Sequence, residues 1–490
     1  MNKGILEEKH KTAIAYTVSG LFLALSAYLI ANEKFWYIAI IPAMLAVLGL
    51  YVYKLHWVIL LTAFVTPIAV ELSDLSLGIS ISLPSEPLMV GILIIATLKL
   101  LFEDQHDGRI IRHPVTLAVI FSLVWMFFTS VTSELPVVSF KYFLSRLWFV
   151  VPFFFLGIPL FKRFKYIKTF NWIYIIPLIY VIVYTTNVHA RHGFDEDVSH
   201  WAMSPFYNDH TAYGAILALM LPFTLVSTFY KGYSKRYRTI AGIVSFILLG
   251  ALFLSYSRAA WLSFVGAFGV LMIMVLKIRF RYVFLVLGIL VGLFFSFRPQ
   301  IIDYMEDNDQ DSSGNFKKHV QSAYNISTDA SNLERINRWQ SALRLFEERP
   351  VLGWGPGTYQ FVYAPYQRSK EKTIISTNFG DMGNAHSEYL GPLSESGVLG
   401  IVYVFLLAFV GLNRAVIVYR KSKNKEVRMM ALAALLGLTT YWIHGFLNIF
   451  LDTDKLSVPV WGYLAVIVAL DLYHRDRPPE DEENKKPAKD

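Results

Sequence analysis

Apolar runs of about 17 to 22 residues recur from Thr12 to Leu472, and no other feature of the chain constrains its fold as strongly. Each run is long enough to cross a hydrocarbon core of about 30 Å as a helix. Backbone groups find no water there, so helices rather than irregular segments must carry the runs. Their bounds are 13–31, 35–53, 57–72, 86–102, 115–133, 141–160, 170–187, 212–230, 239–256, 259–276, 282–297, 397–418, 428–447 and 457–473. The expected fold is an all-α polytopic bundle of about 12 to 14 transmembrane helices, the weak run at 57–72 being a candidate re-entrant segment. A soluble domain is a poor alternative, because only 17% of the residues are charged where about 25% is usual. Met1 to Lys11 is charged, and Ala13 to Ile30 lacks a small-residue cleavage site, so this stretch reads as a retained first helix.

Charge orients the bundle. With the N-terminus cytoplasmic, the basic connections all fall on one side: Lys54, Arg109 with Arg112, Lys162 to Lys168, Lys231 to Arg238, Lys277 to Arg281, and Arg420 to Arg428. The net charge of +8 is therefore a topology signal, and no nucleic-acid partner is inferred. The opposite, external side receives 71–85, 188–211, the junction near Arg258, 298–396 and 448–456. The expected divisions are N-terminal membrane helices at 1–297, a large external loop or lid at 298–396, C-terminal membrane helices at 397–473, and a disordered cytoplasmic tail at 474–490. Within the loop, Asp303 to Asn315 is acidic and turn-rich, whereas Leu333 to Glu348 has a helical apolar rhythm. There is no cysteine, hence no disulfide framework, thiolate metal site or cysteine nucleophile.

Three external segments carry candidate chemistry. Arg258 joins two apolar runs with almost no loop between them. A guanidinium so near hydrocarbon needs water or an anion, and its planar donor fork suits phosphate, although an arginine that binds headgroups or caps carbonyls would look the same. Arg335 and Arg338 lie on the loop helix, followed by the Pro- and Gly-rich run Arg349 to Gly357 (RPVLGWGPG). Its glycines permit a tight turn with positive φ, and a solvated helix face paired to Glu334 or Glu347 would account equally well for the arginines. His386 stands where the loop re-enters the membrane. Imidazole is the commonest positioned proton acceptor, yet a histidine at such a boundary can also be a structural hydrogen-bonder. The external histidines form no recognisable metal motif, His189 with His192 being a weak candidate, and the spacing of Asp452-Thr453-Asp454 leaves a cation open.

In order, Ser257-Arg258-Ala259-Ala260-Trp261, Arg335 with Trp339, Arg349 to Gly357, His386 and Glu395 to Gly400 resemble the O-antigen ligase and polymerase superfamily of lipid-linked glycan transferases, which also includes protein O-oligosaccharyltransferases. The resemblance spans about residues 250 to 400, and the motifs are loose singly but specific in their order. It departs at Ser387, where relatives often carry Asn, and at His210 in the segment Phe206 to Gly214.

The resemblance implies an inverting, metal-independent glycosyltransferase that needs no cofactor. It would move a glycan from an undecaprenyl diphosphate carrier to an acceptor hydroxyl at the periplasmic face of a bacterial inner membrane. The foremost expectation is an O-antigen ligase acting on lipid A–core, with a polysaccharide polymerase or a protein O-oligosaccharyltransferase as alternatives. Diphosphate needs charge stabilisation more than protonation, so Arg258 and Arg335 are expected to clamp it, with Arg338 and Arg146 as alternates. His386 would be the general base, and Glu395, Asp452 and His210 are supporting candidates. Donor, acceptor and membrane lipids are the expected partners. A membrane transporter is the rival from another class, but its charges would sit at the bilayer midplane rather than gather at one face.

Overall fold

The structure is a computed structural model that describes residues 2–34, 36–72, 81–102, 107–278, 330–372, 376, 383–476 and 478, with isolated positions between 282 and 296. Most of the apolar run at 282–297, the acidic stretch Asp303 to Asn315 and the tail from 479 lie outside the described residues. The chain divides into two compact units, Met1–Val58 and Ile59–Asp490.

The first unit holds α1 (Asn2–Ala31) and α2 (Trp36–Tyr53). Between them Asn32 Nδ2 returns to the carbonyl of Tyr28 at 2.8 Å and closes the end of α1. Next, α3 (Leu55–Val65) is only 11 residues long, about 16 Å at 1.5 Å per residue, so the expected run at 57–72 is not a full span. A 3-10 turn at Thr66–Ile68 containing Pro67 follows, then the antiparallel pair β1 (Val70–Leu72) and β2 (Ile81–Leu83). Lys455 Nζ donates to the carbonyls of Thr66 and Ala69, both at 2.6 Å, and the Thr66 carbonyl also accepts from the amide of Ala69 at 3.2 Å.

The remaining helices are α4 (Ser85–Phe102), α5 (Gly108–Ile111), α6 (Pro114–Val131), α7 (Pro136–Val150), α8 (Gly157–Phe161), α9 (Lys165–Arg191), α10 (Glu196–Ser199), α11 (His210–Phe229), α12 (Lys235–Leu254) and α13 (Arg258–Val275), then α14 (Ala330–Glu348), α15 (Tyr359–Val362), α16 (Leu390–Lys421), α17 (Lys425–His444) and α18 (Asp454–Ala469). A π-turn at Val151–Phe155 runs α7 into α8, and another at Leu470–His474 extends α18. Among the described residues, eight helices are long and apolar enough to cross a membrane. The protein is an all-α, multi-pass membrane protein, as its apolar runs imply.

Burial separates the centre of the bundle from its rim. In α18, 89% of the apolar window is buried and in α11 78%, against 28% in α13. Centre helices approach closely where side chains are small: a β-carbon on Gly437 of α17 would lie 2.8 Å from the backbone oxygen of Leu219 in α11. The basic clusters at the start of α9, between α11 and α12, and between α16 and α17 share one end of the bundle, where Lys168 pairs with Glu426 at 2.8 Å.

The described part of the large loop has its own core. Ala342 and Leu345 of α14 pack with Trp354, Tyr359, Tyr363 and Ala385, whereas the rhythm residues Leu333, Ile336, Trp339 and Phe346 are half-buried and Leu343 is exposed, so the face that α14 buries also carries Glu334, Asn337, Arg338 and Ser341 and is offset from the apolar rhythm. The Pro- and Gly-rich turn docks onto a break in α16. Gly397 has φ +67° inside that helix, and the amide of Val398 donates to the carbonyl of Pro350 at 2.8 Å. The amide of Gly355 donates to the carbonyl of Glu395 at 2.7 Å.

Candidate functional site

Arg258 opens α13 after a turn with almost no residues to spare. Ser255 ends α12, Tyr256 takes φ +50°, and Ser257 caps α13 by accepting from the amide of Ala260 at 3.4 Å. The hairpin can be this tight because α11 meets it at Gly214, where a β-carbon would come within 2.8 Å of Ser257 Cβ. A cation in the first turn of a helix opposes the helix dipole. Arg258 is therefore placed at some cost to its own helix.

α14 supplies Arg335 and Arg338. Arg338 is buried, with Nε donating to Glu334 Oε1 at 2.6 Å and the guanidinium lying 4.1 Å from the centre of the Tyr363 ring. Burial raises the Glu334 carboxyl, but hydrogen bonds from Ser376 and Arg338 outweigh it and hold the group below its usual value.

His386 sits in the re-entry loop with φ +47°, a left-handed conformation rare for a residue with a side chain. Its amide donates to Asn384 Oδ1 at 2.9 Å, and its carbonyl accepts from Trp339 Nε1 at 3.3 Å. These bonds hold a strained backbone, and such strain gathers at functional sites. Burial first, then the charges of Arg335 and Arg338, push the imidazole down to about 4. It is neutral near pH 7 and able to accept a proton.

The arginines and histidines meet. Arg335 and Arg338 act electrostatically on His386, while Arg335 and Arg258 act on His210 at the start of α11. Arg258, Arg335 and His386 thus come from three segments to one end of the bundle, opposite the basic clusters. Asp209 belongs to the same group and reaches His386, His210 and His444. Its Oδ1 caps α11 by accepting from the amides of Thr211 and Ala212 at 2.7 and 2.8 Å. His200 packs on His210 with ring centres 4.2 Å apart. Arg258 and Arg335 both act on His210, and Arg335 and Arg338 on His386, so three guanidinium groups lie around the two histidines.

His444, the last residue of α17, is 1% exposed, and neither ring nitrogen has a hydrogen-bond partner among the described residues. Sequence reasoning passed over both His444 and Asp209. For His444 the available signal was an ionisable residue inside an apolar run; for Asp209 it was a capping residue just before one.

The other candidates lie elsewhere. Arg146 Nη1 donates to the carbonyl of Leu451 at 2.8 Å, and Nη2 to Tyr142 Oη at 2.9 Å and Asp452 Oδ1 at 3.1 Å. Asp452 so orients Arg146 and not His386, while Asp454 accepts from Ser85 Oγ at 2.5 Å. Glu395 Oε1 accepts from the amide of Tyr359 at 2.9 Å and locks the loop turn to α16. Glu388 is buried and pushed upward by burial and by Asp452, despite donors from Phe450, Tyr441 and Leu451. Among the described residues no group of three or more His, Asp or Glu is arranged to hold a metal ion.

This combination of paired arginines and a neutral histidine at one membrane end, on the segments carrying the ordered motifs, can be set beside known families. Residues 243–405 match the O-antigen ligase family model. The match supports the O-antigen ligase superfamily, and with it an enzyme of the glycan-transferring ligase or polymerase type that acts on lipid-linked glycans. It takes in Arg258, Arg335, Arg338, His386 and Glu395 and leaves out Arg146, Asp209, His210, His444 and Asp452. Comparison with curated proteins yields no match.

Proposed function

We propose that this O-antigen ligase relative is an inverting glycosyltransferase that moves a glycan from a polyprenyl diphosphate to an acceptor hydroxyl, ligating O-antigen to lipid A–core. The observation that carries this reading is the meeting of Arg258, Arg335 and His386 at the end of the bundle away from the basic clusters. By the positive-inside rule that end faces the periplasm of a bacterial inner membrane. Arg258 and Arg335 hold the diphosphate and take up the charge that grows on it as it leaves. The acceptor oxygen attacks the anomeric carbon, the bond from that carbon to the phosphate oxygen breaks, and polyprenyl diphosphate departs. The acceptor proton passes to a ring nitrogen of neutral His386, a contribution of about 10²- to 10⁴-fold in rate. One direct displacement inverts the anomeric centre and needs no enzyme nucleophile.

The test is transfer from purified polyprenyl-diphosphate glycan by the full chain in nanodiscs, comparing wild type with Arg258→Ala, Arg335→Ala and His386→Ala. We expect the arginine variants to lose donor binding and the histidine variant to keep it while losing transfer. Wild-type rates in all three folded variants would overturn the mechanism. Product analysis decides between ligase and polymerase, since a polymerase lengthens its own donor class.

A further inference from the structure

His200 and His210 stand beside the arginines without a part in the transfer step. His200 follows α10, its amide donating to the carbonyl of Asp197 at 3.3 Å, and His210 opens α11. The two rings pack with centres 4.2 Å apart and planes at 56°. Between them Ala202, Met203 and Tyr207 are buried, and Asn208 Nδ2 donates to Glu71 Oε2 at 2.6 Å. Asp209 then closes the segment as the cap of α11. Packed residues on both sides thus fix where the two imidazoles meet.

His200 is exposed and His210 half-buried, so a ligand can reach both rings. Neither ring makes a hydrogen bond or ion pair among the described residues. A neutral imidazole carries one N–H donor in either tautomer, so the pair presents two. Arg258 and Arg335 both act electrostatically on His210, which sets these donors in the field of two guanidinium groups. A metal ion finds no group of three His, Asp or Glu arranged to hold it among the described residues. An anion is the ligand that donors in such a field suit.

We propose that the His200–His210 pair completes the donor's diphosphate site, its N–H groups donating to phosphate oxygens beside Arg258 and Arg335. The inference rests on the glycosyl-transfer reading and adds two ligands to it. The donor is a diphosphate diester with two negative charges. When the bond to the anomeric carbon breaks, the departing oxygen becomes a further acceptor and brings a third charge. Donors already in place around the two arginine forks meet that oxygen without rearrangement, which is how preorganised groups lower a barrier.

The test is isothermal titration calorimetry of polyprenyl diphosphate, the leaving group, with the full chain in nanodiscs. His210→Phe keeps an aromatic ring against His200 but removes the N–H, and should weaken binding by about tenfold or more, the worth of a hydrogen bond to a charged group. His210→Gln restores an N–H and should bind within about threefold of wild type. The donor KM should follow the same order, with the acceptor KM unchanged. If the His210 variants do not fold, His200→Phe and His200→Gln, at an exposed position, carry the same expectation. A folded Phe variant that binds like wild type, or a Gln variant that binds no better than Phe, would overturn the proposal, because the pair would then serve packing alone. A chain that binds polyprenyl diphosphate in this order yet transfers no glycan would instead overturn the glycosyl-transfer reading and leave the pair's assignment standing.

Discussion

A β-carbon on Gly383 would lie 1.4 Å from Nη1 of Arg338, so the re-entry loop passes directly against that guanidinium. Arg338 is pinned on its other sides by Glu334 and the Tyr363 ring. It has nowhere to retreat. Gly383→Ala should therefore displace the loop three residues before His386, lowering transfer at least tenfold while membrane insertion stays normal. Side-by-side measurement of transfer rate and membrane yield checks this; near-normal transfer would mean that the loop position is unimportant.

The state of His386 sets the pH dependence. Its value is depressed to about 4 by burial and then by Arg335 and Arg338. Neutral imidazole is the base, so kcat/KM should stay level through the neutral range and fall as pH drops through about 4. A bound diphosphate offsets the arginine charges, so the limb in kcat should lie at higher pH than the limb in kcat/KM. Arg335→Gln should move the kcat/KM limb upward, toward the ordinary histidine value. Profiles that superimpose for the wild type and this variant would contradict the assignment.

How far the sequence exposes this arrangement depends on the range of the forces involved. Apolar runs mark helices because the bilayer demands internal hydrogen bonding along each span: 170–187 falls within the helix Lys165–Arg191, and 428–447 coincides with Lys425–His444 except for its last three residues. Alternating charge brings Arg258, Arg335 and His386 to one face before any contact is known. Pairing within that face is another matter. The Arg146–Asp452 contact spans 306 positions, and no spacing rule reaches so far. His444 escapes because an isolated histidine in an apolar run carries no motif, and α3 gives way after Val65 to a turn containing Pro67, whose Thr66 carbonyl is held by the distant Lys455.

His444 separates function from packing. Its ring meets Phe450 edge-on at 5.1 Å, and both nitrogens are buried without partners among the described residues. An unsatisfied buried polar group costs about 1–3 kcal/mol, so His444→Phe should keep the ring contact and leave thermal stability equal or higher. If the imidazole serves the substrate, the same variant loses transfer. Stability retained with activity lost is the expected pair of results; lower stability with unchanged transfer would make His444 a packing residue.

Chelation probes the charge-stabilising role of the arginines. Asp452 is engaged with Arg146 and Tyr142, and Asp454 with Ser85, so the two carboxylates of the Asp-Thr-Asp run are held by separate partners. With Arg258 and Arg335 meeting the diphosphate charge, transfer in excess EDTA should stay within about twofold of the untreated rate. A rate abolished by EDTA and restored by a divalent cation would show that the arginines do not suffice.

The docking of the Gly-rich turn on α16 predicts a large effect from the smallest change. Gly397 has φ +67°, and a β-carbon there would lie 2.1 Å from the carbonyl oxygen of Val351. A β-carbon on Gly353, also at φ +67°, would come within 2.3 Å of the Glu395 carbonyl carbon. Each backbone occupies the space where the other would carry a side chain, so the two glycines are needed together. Gly397→Ala combines a left-handed φ, unfavourable for alanine, with a clash against backbone that cannot swing aside. It should lower the melting temperature and release the segment carrying Trp354 and Tyr359, exposing the loop to protease. Gly269 in α13 supplies the control, because a β-carbon there meets nothing within 4 Å. Gly269→Ala should be neutral or stabilising by up to about 1 kcal/mol, the gap in helix propensity between the two residues. Equal melting temperatures for the two variants would mean that the loop is not anchored through the break in α16, and the positioning of His386 by that loop would then need another cause.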